Sequence, residues 1–224
     1  MTPTRKAWTW ICAVTLLMAG LIFGAAGDLR FWQGWTFIAI YFACSALVTQ
    51  HLIANDPALL KRRLKGGPTH ETEPAQRLIM ALMMLAFMAL VVVPGLDHRF
   101  VWSRAPAIVA AAGDVLVAAG FYSSYLIFKA NSFASATVGV AEGQTLVSTG
   151  PYAVVRHPMY AGAILYLIGT PLALGSYWGL LLVALMLPIL IWRLVDEERV
   201  LERRLTGYVD YKRKVRWRLL PGVY

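Results

Sequence analysis

The sequence predicts an all-α, polytopic integral membrane protein with about six transmembrane helices and a C-terminal cytoplasmic helix. Three observations predict it. First, 58% of the 224 residues are hydrophobic and 15% are charged, against about 25% charged in ordinary soluble domains. A soluble chain of this size could not bury so much apolar surface, so the excess faces lipid. Second, apolar runs near the ~17–25 residues that cross a bilayer recur along the chain. Third, the basic residues fall on one side of the implied bilayer.

Four runs are clear: Trp8–Gly24, Trp35–Ile53, Leu78–Leu96 and Ala105–Phe128. Arg5 and Lys6 precede the first, but no small-residue cleavage site follows it. It is therefore expected to remain as a span rather than be removed as a signal. Two shorter runs follow, Met159–Leu174 and Tyr177–Trp192, separated by Gly175 and Ser176. They form either two thin spans or one hairpin dipping into the bilayer, which makes five spans possible. Pro171 and Pro188 are expected to kink them.

With the N-terminus inside, every Lys and Arg except Arg30, Arg99 and Arg104 lies on the cytoplasmic side. That bias orients both termini to the cytoplasm. It also explains the formal net charge of +9 without nucleic acid, because basic residues beside spans meet anionic membrane lipids. The tryptophans cluster near the predicted span ends, as in an aromatic belt. Cys12 and Cys44 lie inside apolar runs, with no disulfide framework or metal-ligand spacing, and are read as small packed thiols. The loop Asn55–Pro74, with Gly66-Gly67-Pro68, is expected to be polar and irregular. No repeat or second soluble domain is visible. Residues 1–224 are read as a single membrane domain: four helices over 1–128, then a loop, a terminal helical hairpin and a cytoplasmic tail over 129–224.

Polarity and turn residues concentrate between Asn131 and Tyr160. Gly150-Pro151-Tyr152 is a turn signal, and His157-Pro158 starts a helix with proline near its first position. Free backbone N–H groups at such a start suit a carboxylate or phosphate. Arg156 and His157 stand just before that proline; alone, they could be a snorkelling pair at the membrane edge. The last apolar run ends in Arg193-Leu194-Val195-Asp196-Glu197-Glu198-Arg199. Arg193 and Glu197 are one helical turn apart on one face. Acids at a span edge need partners, so the segment is either a solvated helix end or an acid aimed at a ligand held by the Arg156–Tyr160 turn.

Arg156-His157-Pro158-x-Tyr160-x-Gly162, followed by Glu197-Glu198, resembles the isoprenylcysteine carboxyl methyltransferase and phospholipid methyltransferase superfamily. The tail Gly207-Tyr208-Val209-Asp210-Tyr211 through Leu219-Leu220-Pro221-Gly222 looks like its bacterial members. The resemblance covers roughly Asn131 to Tyr224. It implies S-adenosylmethionine as cofactor, a lipophilic methyl acceptor (prenylcysteine-like carboxylate or phospholipid amine), membrane lipids around it, no metal, and a bacterial inner membrane. By the same resemblance 129–224 holds the cofactor-binding loop. The strand-like stretch Gln144, Thr145, Leu146 and Val147 contacts the cofactor, as do Tyr152, His157, Pro158, Met159 and Tyr160. Glu197 matches the family acid, with Glu198 as its one-residue alternative. Arg193 matches an acceptor-side arginine, and Arg156 is placed where it orients the acceptor; both are taken as catalytic. A cofactor-binding Gln of eukaryotic members has no counterpart near Val140 and Ala141.

The physics of methyl transfer agrees, because in-line displacement gains mainly from proximity and orientation. Aromatic faces from Tyr152, Tyr160 and His157 attract a cation by about 0.5–2 kcal/mol, and arginine holds carboxylate or phosphate by paired hydrogen bonds. Two alternatives stand beside this reading. Membrane sterol reductases share an Arg-His-Pro-x-Tyr element but use NADPH in longer chains. A small transporter or scaffold would favour symmetric halves, which this chain lacks. Asp114 is expected in an interhelical hydrogen bond, His51 at the interface, and Met80, Met83, Met84 and Met88 in packing or along a lipid tunnel.

Overall fold

A computed structural model describes residues 1–71 and 73–223; Tyr224, the end of the predicted tail segment, lies outside them. The fold is all-helical among the described residues. Eight α-helices run as α1 (Pro3–Ala26), α2 (Trp32–Asn55), α3 (Pro57–Arg63), α4 (Pro74–Phe100), α5 (Ala107–Ala130), α6 (Pro158–Ala173), α7 (Trp178–Arg204) and α8 (Tyr208–Lys214). Five of them, α1, α2, α4, α5 and α7, are long and apolar enough to cross a membrane, so the chain is an integral membrane protein.

The helices begin where local chemistry provides for their free N–H groups. Thr2 accepts from Arg5 N at 3.3 Å, and Pro3, which has no N–H to satisfy, opens α1. Each long helix continues past the C-terminal end of its apolar run. The clearest case is α7, which continues past Trp192 through Arg204 and carries Arg193 to Glu198 out of the apolar stretch on a rigid support. The polar loop after α2 is more regular than expected. Asp56 accepts from Leu59 N at 2.8 Å, Pro57 takes the first position, and Lys61, Arg62 and Arg63 sit where the helix dipole favours cations. Together they make α3. Cys12 is exposed rather than packed.

The sixth apolar run is α6, with 16 residues, about 24 Å long, short of the ~30 Å hydrocarbon core. It is held by close packing on α5. Small residues let the two backbones meet: a Cβ on Gly113 would lie 2.1 Å from Ala173 N, and one on Gly169 2.8 Å from Gly113 O. Gly113→Val must therefore push α6 away. Overpacking of this kind costs about 1–3 kcal/mol, and the expected result is a lower unfolding midpoint of purified protein in detergent.

At one end of the bundle, Gly175 adopts φ 69° in the tight turn from α6 to α7. Ser176 Oγ donates to Asp97 Oδ2 at 2.5 Å, and Asp97 also accepts from the Ser103 backbone N–H and hydroxyl. This buried knot ties α4 to the hairpin. At the opposite end lie α3, the irregular segment 131–149, the start of α6, the charged end of α7, and α8. Asp114 faces Thr36 of α2, but its Oδ1 is buried without a hydrogen-bond partner among the described residues, so the interhelical position expected for it is found without the full hydrogen bonding. His51 sits edge-on to Tyr125 at 4.8 Å. Met84 and Met88 are exposed on the outer face of α4, whereas Met80 and Met83 turn inward.

Candidate functional site

A cavity of about 600 Å³ opens at the α3–α8 end of the bundle and reaches inward between α2, α4, α5, α6 and α7. Its size is ordinary for a small-molecule site. Its two ends differ in chemistry. Tyr41, Met80, Met83, Phe87, Phe121 and Leu190 wall the inner part, while Arg63, Asn131, Arg156, His157, Arg193 and Glu197 lie towards the mouth.

The site residues named from sequence converge here. Gln144, Thr145, Leu146, Val147, Tyr152, Arg156, His157, Pro158, Met159, Tyr160, Arg193 and Glu197 all line the cavity. Residues 144–147 form neither helix nor strand, so the strand-like stretch is a loop. Glu198 does not line the cavity. Successive residues on a helix point about 100° apart, and this rotation separates the two acids.

Glu197 accepts from the Tyr160 hydroxyl at 2.5 Å. The α6 residue and the α7 acid are thereby fixed to one another in the cavity wall. Glu198 turns inward instead. Its Oε1 accepts from Arg156 Nε at 2.7 Å and lies 3.2 Å from His157 Nε2, while Oε2 accepts from Arg218 Nε at 3.0 Å. Glu198 is thus the centre of a buried clasp.

Both arginines taken as catalytic are already engaged. Arg156 Nη1 donates to the carbonyls of Val215 and Arg216 at 2.9 and 2.7 Å. The backbone N–H groups of Arg156 and His157 donate to Trp217 O and Arg218 O, each at 2.9 Å. Arg156 therefore straps the tail under the start of α6 while it also lines the cavity. The same bonds revise the expected backbone anion site. Pro158 has no N–H, and the N–H groups of Arg156, His157 and Tyr160 are all satisfied internally. Arg193 donates to Gln76 Oε1 at 2.7 Å, Glu71 Oε1 at 2.9 Å and Ala136 O at 3.2 Å. It stands beside the Tyr160 hydroxyl, but its main partners tie α7 to α4 and to segment 131–139.

Sequence reasoning missed Glu71 and Gln76, the partners of Arg193. It also missed Arg63, which donates to Ser135 O at 3.0 Å and to Met159 Sδ at 3.6 Å. Asn131 donates to Tyr152 Oη at 3.1 Å. Tyr211 donates to Tyr152 O at 2.7 Å. The Tyr208 hydroxyl is buried in the cavity wall with no hydrogen-bond partner among the described residues. Burial first, and then the Glu197 charge, push the Tyr152 phenol up to about 12 against the Asn131 hydrogen bond. Burial likewise raises Tyr211. These hydroxyls stay protonated and can donate. Burial lowers Arg63 to about 10, which leaves it charged at neutral pH.

The residues present fit a cationic sulfonium ligand. Aromatic rings (His157 and Tyr160, centroids 5.6 Å apart) sit beside a carboxylate, and the orphan Tyr208 hydroxyl awaits a polar partner. A family model described as phospholipid methyltransferase matches residues 108–206. This is the superfamily that the Arg156–Gly162 motif resembles, and the matched segment contains that motif and Glu197. Comparison with curated proteins finds no match.

Proposed function

We propose that this chain, which carries the phospholipid methyltransferase segment over residues 108–206, is an S-adenosylmethionine-dependent methyltransferase acting on a lipophilic acceptor at the cytoplasmic membrane surface. The observation that carries the reading is the 2.5 Å contact between Tyr160 and Glu197 in the wall of a cavity polar at its mouth and apolar within. A water-soluble donor and a lipid-soluble acceptor need such a two-sided chamber.

When bound, S-adenosylmethionine supplies a methyl group on a positively charged sulfur. The chain's residues hold and orient. Glu197 offers negative charge to the donor, and its hydrogen bond with Tyr160 fixes both groups. Tyr152, His157 and Tyr160 present π faces to a cation. Gln144 to Val147 and Tyr208 close the wall nearest the tail, while Met80, Met83 and Phe87 give an alkyl or prenyl chain an apolar path. Apolar walls keep out water, which would compete for the methyl group. The basic residues around the mouth support its assignment to the cytoplasmic leaflet.

The test is transfer of labelled methyl from S-adenosylmethionine in nanodiscs, offered phosphatidylethanolamine or N-acetyl-S-farnesylcysteine. Wild type should label one of them. Glu197→Gln should lower kcat/KM by about 10- to 100-fold, the range for losing one charge-assisted hydrogen bond. Tyr160→Phe should cost less, because the carboxylate remains. Failure of wild type to label either acceptor would remove the activity. A Glu197→Gln enzyme at the wild-type rate would remove the site.

A further inference from the structure

The cavity is lined by three arginines, and two have carboxylate partners. Arg156 faces Glu198 and Arg193 faces Glu71. Arg63 has no carboxylate partner among the described residues. Its Nη1 is used by Ser135 O and Met159 Sδ, its Cζ lies 4.9 Å above the Phe128 ring, and Arg193 is close enough to repel it. Guanidinium has five donors in a fixed fork. The Nε and Nη2 donors of Arg63 carry no partner among the described residues, in a wall of the cavity. A cation in a cavity wall with unused donors and no carboxylate beside it is a ready partner for a ligand that brings the opposite charge. Arg63 also lies outside the matched segment 108–206, on a short helix of its own.

We infer that Arg63 is the oxyanion-recognition residue of this cavity, binding a carboxylate or phosphodiester of a bound molecule through its unused donors. This rests on the methyltransferase reading only for what the molecule is. The same chemistry has two sources, the carboxylate of the donor's amino-acid part or the anionic group of the acceptor. Planar two-point donation suits both, and lysine would not replace it.

Binding to the full chain in nanodiscs separates them. Wild type, Arg63→Gln and Arg63→Lys are titrated with S-adenosylhomocysteine against methylthioadenosine, which lacks the carboxylate. They are also titrated with N-acetyl-S-farnesylcysteine against its methyl ester, and with a short-chain phosphatidylethanolamine against the matching diacylglycerol. Arg63→Gln should weaken at least one anionic probe by about 10- to 100-fold while leaving its neutral counterpart unchanged, and Arg63→Lys should recover only part. The neutral probes report that the variant is folded. A loss confined to S-adenosylhomocysteine makes the donor the source; a loss confined to an amphiphile makes it the acceptor. Unchanged affinity for every anionic probe, equal losses for charged and neutral members of each pair, or wild type binding no anionic probe overturns the inference. Wild type that binds the amphiphiles through Arg63 but neither nucleoside sinks the methyltransferase reading and leaves Arg63 standing.

Discussion

Glu198→Ala is expected to destabilise the protein by about 3–5 kcal/mol, the cost of removing one partner from a buried ion pair. Glu198 is 3% exposed and binds Arg156 and Arg218 while lying against His157. Without it, the Arg156 guanidinium remains buried with only the Val215 and Arg216 carbonyls as acceptors. The tail then loses its Arg218 anchor to α7, and its backbone bonds to Arg156 and His157 are left to hold it against the start of α6. Tyr211, which reaches back to Tyr152, loosens with it, so donor binding should fall alongside stability. The checks are an unfolding midpoint in detergent and limited proteolysis after Leu205. Glu198→Gln keeps acceptor oxygen but loses charge, and should fall between wild type and alanine. An alanine variant with a wild-type midpoint and a protease-resistant tail would show that the clasp contributes nothing.

The span pattern was legible because lipid leaves no alternative. A backbone crossing hydrocarbon must satisfy its own hydrogen bonds, so long apolar runs read as helices. What composition could not decide was α6. Its 16 residues are accommodated by the glycine approach to α5, and the closeness of Gly113 to Ala173 is a property of two helices rather than of either run. Asp56-Pro57 and the basic Lys61–Arg63 end were present as signals for α3, but the neighbouring Gly66-Gly67-Pro68 dominated the reading of that loop.

The site was legible where its chemistry is local. His157 to Tyr160 form one helix start, and Glu197 follows on the next helix. The ion-pair partners were not. Arg193 and Glu197 share a helical face and looked like a functional pair, yet Arg193 is held by Glu71, 122 residues away in sequence. Glu198 looked like a spare for Glu197, yet it meets Arg156 across 42 residues. Spacing along one helix shows which side chains point together, not which neighbour they point at. The remaining clue was Glu71 itself, an acid in a basic loop beside a span, where an unpaired charge would be costly.

Arg193→Met is expected to cost about 3–5 kcal/mol, because the Glu71 side chain is fully buried and would keep only the Val138 N–H as partner. Gln76 would also lose its hold on the guanidinium, retaining Asp196 at 2.6 Å. Adding Glu71→Met removes the stranded charge. Replacing both members of a buried pair by apolar side chains of similar volume is often neutral, so the double variant should return to near wild-type stability. The coupling in the double-mutant cycle should then be at least as large as the single-variant cost, about 3–5 kcal/mol, read from unfolding midpoints and denaturant titration in detergent. Methyl transfer in the double variant then decides what Arg193 does. A residue that holds α7 against α4 and keeps Tyr160 in register should give back part of its activity when stability returns, with the remaining deficit mainly in kcat. A double variant as stable as wild type yet without methyl transfer would instead make Arg193 a group that touches the acceptor. Single variants no less stable than wild type would mean that the Glu71 pair does not join α7 to segment 131–139 at all.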